Sequence, residues 1–387
     1  MQESVVISHR ARRFALGRGE DFFGVWQIRS AELVLVERWP RTAAGWYRAW
    51  SRFNELEAGT ELPAGLVETE GGLVETGTTR SRFSPGALAL LVVGVVLGVV
   101  SLFPSYLDGV ALAGTPDQLV EHVLFLAGWS VVVVMALLGG GLSRVAAAFG
   151  LGLSAMAFGF YLSDLGEVIS SGGHIAGAGL VLGLLGWLLC TEGCVVGAIV
   201  LLRRDRSLGR PAWRRPFLVG VAAVLSIGLA VSFAPAWDSY HLFAAATGQT
   251  TSLTAGNAFA NPAPVIAANL VIMILMVVLT ILAVLWEPML VGAALLAGTL
   301  VALGSQIVSA IVQLGTPPGP STFGISSSQA AQAHLQISAG LTPIFYVYCV
   351  FGVALLVLCI EMFRHAHLQA RGLQRLGLLP LAPEMAQ

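Results

Sequence analysis

The chain has 387 residues, 56% of them hydrophobic and only 11% charged, with a mean hydropathy of +0.79 and a formal net charge of -1. Those values exclude an ordinary soluble domain, and without a basic surplus there is no electrostatic footprint for nucleic acid. Apolar runs of 18 or more residues recur, so the chain reads as an all-α polytopic membrane bundle.

The opening "MQESVVISHRARRFALGRGEDF" is polar and charged, and no signal peptide is expected. Three segments, "RRFALG", "FFGVWQIR" and "ELVLVERW", read as short strands separated by turn residues. Thr42 is placed to cap a following helix, in which Trp46, Trp50 and Phe53 fall on one face and would cover the sheet. Residues 1–57 are therefore expected to form a small β-β-β-α cytosolic module. Residues 58–83, rich in Gly, Thr and Glu, read as a linker.

Eight spans follow, at about 86–103, 118–141, 144–163, 175–202, 216–236, 264–286, 289–313 and 341–363. All 21 basic residues are arginine. Eleven precede the first span, Arg144 lies between the second and third, six lie between the fourth and fifth, and three follow the eighth. The loops at 104–117, 164–174, 237–263 and 314–340 contain none. Positive charge collects on the cytoplasmic side of a membrane, so both termini are expected in the cytoplasm, in a bacterial plasma membrane.

The spans also pair up. "SLFPSYLDG" ends span one and "SFAPAWDSY" ends span five, and "HIAGAGL" can be laid against "HLQISAGL" before spans four and eight. A repeat of four spans preserves orientation, so the two copies would be related by an axis along the membrane normal. The domains expected are a first repeat over 84–202, a basic loop over 203–215, a second repeat over 216–363 and a cytoplasmic tail over 364–387. That tail is basic and partly amphipathic, suited to an anionic lipid surface.

Glu192, in "CTEGC", is the clearest intramembrane acid. It precedes Arg203 by 11 residues, about 16 Å along a helix and so near the middle of a hydrocarbon core of about 30 Å. A charge there costs at least about 2.5–3.5 kcal/mol, and a carboxyl group needs polar partners in the bundle. Thr191 beside it and Ser305, Gln306 and Ser309 of span seven are the candidates. Cys190 and Cys194 share a helix face that Glu192 does not, and they read as small packing residues, as do Gly179, Gly183, Gly193 and Gly197.

The opposite membrane surface gathers a second set. Asp108, Asp117, Glu121, Asp164, Glu167 and Asp238 map to the arginine-free side, with His122, His174, His241 and His334. They make an acidic rim. Their spacing fits no metal motif, and no metal or cofactor is expected.

Enzyme signatures for zinc proteases, phosphate-binding loops and serine hydrolases are missing, and a depth difference of about 13–15 Å separates Ser154 from His174, so "GLSA" and "HIAG" do not make an intramembrane serine protease. The stretch "FFGVWQIR…VERWPRTAAGWYRAWSRFNELE", within residues 14–57, resembles a short Trp-rich cytosolic module found ahead of membrane spans in actinobacterial multi-pass membrane proteins of unknown function. The all-arginine basic set is in keeping with a GC-rich genome. That resemblance implies no activity and assigns no residue roles. The function expected is therefore a non-enzymatic interaction or scaffold protein that presents residues 1–57 to a cytosolic protein; the alternative is a transporter or channel for protons, cations or a small solute, using Glu192. The partners implied are the lipid bilayer and that cytosolic protein, with self-association left open.

Overall fold

The computed structural model describes residues 6–10, 14–29, 32–58, 66–69, 72–75, 83–204, 216–286 and 288–375. The chain divides into two compact units, the first holding the N-terminal module and the second spanning Ser81–His367.

The module is an antiparallel sheet in the order β1 (Val6–Arg10), β2 (Phe14–Arg18), β3 (Phe22–Arg29), β4 (Glu32–Pro40), followed by α1 (Ala43–Ala58). It has one strand more than the sequence pattern announces. "VISHR" pairs with β2 although its polar residues obscure the alternation of a half-buried strand. The Gly45 amide donates to Thr42 Oγ1 at 3.1 Å, so Thr42 caps α1 as its position predicts. Phe14, Leu16, Val25, Ala49 and Phe53 form the core, with Trp39, Trp46 and Trp50 packed around it. Within 58–83, read as a linker, Leu66–Thr69 (β5) and Gly72–Glu75 (β6) pair as a hairpin. The alternation in "LVET" and "GLVE" signals it, and the Gly- and Glu-rich composition hides it. The other residues between Ala58 and Phe83 lie outside the described set.

The second unit is helical. Its helices are α2 (Pro85–Val100), α3 (Pro116–Leu138), α4 (Gly141–Ser170), α5 (Ala178–Arg204), α6 (Pro216–Phe233), α7 (Ala263–Leu285), α8 (Met289–Gly315), the short α9 (Ser327–Gln332) and α10 (Pro343–Arg375). Among the described residues seven of these are long and apolar enough to cross a membrane. The first of the eight expected spans falls short: α2 has 16 residues, about 24 Å of helix. Ser84 accepts from the Ala87 amide at 3.2 Å and Pro85 opens the first turn, while after Val100 the chain turns at Ser101, so the apolar run was longer than the helix. At the other extreme α10 runs unbroken to Arg375, so the start of the expected tail is helix continuous with the last span. Most of the basic 203–215 loop and residues 376–387 lie outside the described set.

Among the described residues, one end of the bundle carries nearly all the irregular structure. The hairpin β7 (Ser105–Leu107) and β8 (Val110–Ala111) follows α2, and a sheet of β9 (Asp238–Ala244), β10 (Gln249–Ala255) and β11 (Leu335–Leu341), in the order β10-β9-β11, follows α6 and precedes α10. This loop end is the arginine-free side of the sequence. At the other end α3 and α4 are joined through Gly139 and Gly140, both at positive φ.

Several contacts occur twice. In the central α4–α8 crossing, a Cβ on Gly152 would collide with the Leu295 carbonyl oxygen, and a Cβ on Gly298 would collide with that of Phe149. Gly298 lies 146 residues after Gly152, and Leu295 lies 146 after Phe149. Pro216 opens α6 131 residues after Pro85 opens α2. At the same separation, Ser101 Oγ donates to the Gly98 carbonyl at 2.7 Å and Ser232 Oγ to that of Leu229 at 2.9 Å. The Gly177 amide donates to the Tyr106 carbonyl at 2.9 Å, and the Thr342 amide to the Trp237 carbonyl at 2.8 Å. Gly177 and Thr342 are 165 residues apart, and so are Cys194 and Cys359. This register differs by a few residues from the one that lays "HIAGAGL" on "HLQISAGL", and it leaves His174 and His334 unmatched.

Candidate functional site

The loop end of the bundle is hollow. A cavity of about 260 Å³ lies between α3, α4, α7 and α8 under the β7–β8 hairpin, and a lobe of about 280 Å³ beside it runs toward β9. The two share Glu121, Ser163, Phe233, Asn269 and Gln306 as walls. Each lobe is of a size for a small solute rather than a large one.

The acids arrive from helix ends. Pro116 opens α3, which puts Asp117 in the first turn and Glu121 one turn deeper. Asp164 and Glu167 lie on the last turns of α4, which rises to the same end. Ser309 and Gln306 of α8 face Glu121; the approach of Gln306 is longer than a hydrogen bond, so its buried Nε2 stays without a partner. Such an orphan donor is what a polar cavity leaves for water or a solute to satisfy. Asp164 interacts electrostatically with both Glu121 and Glu167. No arginine lines either lobe among the described residues. Several carboxyl groups with no cation facing them, in a medium of low dielectric, make a site that attracts positive charge or holds protons.

A chain of hydrogen bonds crosses the wall. Tyr106, on β7 and only 1% exposed, donates to Asp164 Oδ2 at 2.5 Å. The same hydroxyl stands 3.1 Å from His122 Nε2, and His122 Nδ1 stands 3.0 Å from the Gln118 carbonyl oxygen. Burial first, and then the Asp164 carboxyl, push the Tyr106 phenol well above its usual range, so it stays protonated. In the second lobe, Gln313 Nε2 donates to the Tyr240 hydroxyl at 3.0 Å. Burial and the nearby Asp238 and Asp117 raise the Tyr240 phenol to about 12, and burial and Asp117 raise Asp238. Asn269 Nδ2 donates to the Ala258 carbonyl at 2.9 Å and so ties α7 to the loop above it.

The residues singled out from sequence divide sharply. Of the rim, Asp117, Glu121, His122 and Asp164 line the first lobe, and Glu167 and Asp238 the second. Asp108 sits in the β7–β8 turn at φ 50, His334 at φ 46 beside β11, His174 in an exposed turn, and His241 on β9 with Nδ1 2.8 Å from Ser252 Oγ; all four are exposed. Among the described residues no three His, Cys, Asp or Glu side chains gather to hold a metal ion.

The intramembrane set does not assemble around Glu192. That side chain is exposed on α5, while Cys190, Gly193 and Cys194 face inward. Gly193 abuts the Ala87 carbonyl, so Glu192 lies level with the first turn of α2 rather than with the centre of that helix. Thr191 Oγ1 donates to the Trp187 carbonyl at 2.8 Å and Ser305 Oγ to that of Ala302 at 2.7 Å, while Gln306 and Ser309 turn to Glu121 instead. All four cysteines are free; Cys190 packs on Gly94 and Cys194 on Gly150. Ser154 is buried and accepts from Trp129 Nε1 at 3.2 Å, far in role from a nucleophile.

Sequence reasoning missed Tyr106 and Asn269. A lone asparagine in a 23-residue apolar helix was a legible signal of a buried polar contact. Tyr106 gave none, because a tyrosine in a loop is ordinary. No family model, curated protein or solved structure matches this chain.

Proposed function

We propose that this integral membrane protein is a carrier or channel for a proton, cation or small polar solute, and that the acid-lined cavity at the loop end is its binding site. The observation that carries the reading is the pair of lobes that share Glu121 and Gln306 as walls, with Asp164 in the first, an unsatisfied buried amide and, among the described residues, no arginine. A bundle that served only as an anchor would have no reason to keep such groups in a hollow, since each costs free energy to bury. The recurring contacts support eight crossings in two parallel repeats of four, with α2 as the counterpart of α6, and the arginine distribution supports a cytoplasmic location for both termini in a bacterial plasma membrane. No catalytic residues are proposed.

The test is flux in reconstituted liposomes across a panel of protons, monovalent cations and small amines. Glu121→Gln keeps hydrogen bonding and removes the charge, and flux should fall at least tenfold. Glu192→Gln should leave it within twofold. Loss of flux in the second variant and not the first would move the site to α5.

A second reading, that the module docks a cytosolic protein, is favoured by one feature. β4 is an edge strand of its sheet, and Leu33, Val34, Leu35 and Val36 are each at least 40% exposed. Such an edge is a template for strand addition. Leu35→Asp should abolish capture of a partner in affinity purification of the full chain; retained capture would exclude that edge.

A further inference from the structure

Asp164, Tyr106 and His122 are joined end to end, and the hydrogens in that line can be counted. A backbone carbonyl only accepts, so His122 Nδ1 carries a hydrogen toward Gln118 O in every state. A phenol has a single hydrogen to donate. With Asp164 ionised and His122 neutral, that hydrogen serves either the carboxylate or Nε2. The other contact would then set two lone pairs against each other, in a wall where an unmade bond costs the desolvation of its group. Both contacts are made only when the line holds one more proton. That proton sits on His122 Nε2, with Tyr106 donating to Asp164, or on Asp164, which then donates to Tyr106 while Tyr106 donates to Nε2. The two arrangements interchange by shifting two protons one place each, with no bond made or broken between heavy atoms.

We infer that Asp164, Tyr106 and His122 form a binding site for a single exchangeable proton, shared through the Tyr106 hydroxyl and loaded from the cavity. The surrounding titratable groups are acidic or neutral: Glu121 faces the line from α3, Tyr161 and Glu167 from α4, and Cys190 of α5 faces Tyr161. Asn269 of α7 and Gln306 of α8 do not titrate.

The site has a mechanical consequence. Tyr106 belongs to the hairpin that roofs the first lobe, while Asp164 and His122 belong to its walls. Removing the proton breaks one of the two contacts by which the Tyr106 hydroxyl ties the hairpin to α3 and α4. Solute binding in the lobe is thereby linked to proton binding. That linkage rests on the transport reading; the proton site itself does not.

The test uses the full chain in lipid nanodiscs, with labelled histidine followed by nitrogen NMR and the Asp164 carboxyl followed by infrared difference spectroscopy across pH. The wild type should show one shared transition in both signals, with release of a single proton. Asp164→Asn supplies an amide that donates to Tyr106, so His122 should stay neutral throughout and the transition should be lost. Tyr106→Phe should split the wild-type transition into two independent ones. Circular dichroism checks that each variant folds, and the wild-type comparison stands even where a variant does not. Separate transitions for Asp164 and His122 in the wild type, or an unchanged His122 titration in Asp164→Asn, would overturn the site. A shared transition without flux in any liposome assay would leave the proton site standing and sink the carrier.

Discussion

Glu121 and Glu192 carry the same side chain in helices of similar composition, yet one lines a cavity and the other is exposed on the bundle surface. The difference is azimuth around the helix, which a spacing of residues along one helix does not reveal when its neighbours are unknown. The level of Glu192 along the bundle is read from Gly193, which abuts the first turn of α2. The glycines of the central crossing make a sharper test. A side chain on Gly298 or Gly152 meets backbone, which cannot swing aside, so Gly298→Val and Gly152→Val should each destabilise the bundle by about 1–3 kcal/mol, read as a lowered melting temperature. Asp238 adds a pH dependence. Its raised value means that the protonated form is preferred in the folded state. Its contribution is therefore complete below the ordinary carboxylate value and is lost as pH rises through the raised one. Exchange of the Thr342 amide, bonded to Trp237 beside β9, should quicken with rising pH beyond its intrinsic rate, and Asp238→Asn should remove that excess.

At the level of elements, long apolar helices were legible and short polar ones were not. Every run read as a span contains a helix, because 18 apolar residues have no other way to satisfy their backbone in lipid. The strand β1 and the hairpin β5–β6 escaped notice because a strand of four or five residues carries too little pattern to stand out from its composition. Helix α1 was readable from its cap and its aromatic stripe, and the stripe is what holds the module. Phe53→Ala removes a core ring at a cost of about 3–5 kcal/mol. A domain of this size has little more than that to lose, so limited proteolysis of the full chain should cut within 1–58 in the variant and spare it in the wild type.

For the molecule as a whole, the arginines predict an arrangement that can be measured directly. A membrane-impermeant thiol reagent should reach a cysteine placed at Asp117 from the face opposite to one placed at Arg144, and tags at the two termini should be found together on the Arg144 side. Termini on opposite faces would leave α2 outside the membrane and reduce the crossings to the seven that meet the length requirement alone. The amino-acid sequence by itself determined that this is a multi-pass membrane protein, which segments are apolar helices, and that alternate loops carry acids without arginine, because hydropathy and charge act through solvent and need no knowledge of neighbours. Only the tertiary structure decided which acids share a cavity, that Tyr106 joins Asp164 to His122 across 58 and 16 residues of chain, and that Glu192 stands apart, because those contacts depend on how helices rotate against one another and on where a loop folds back.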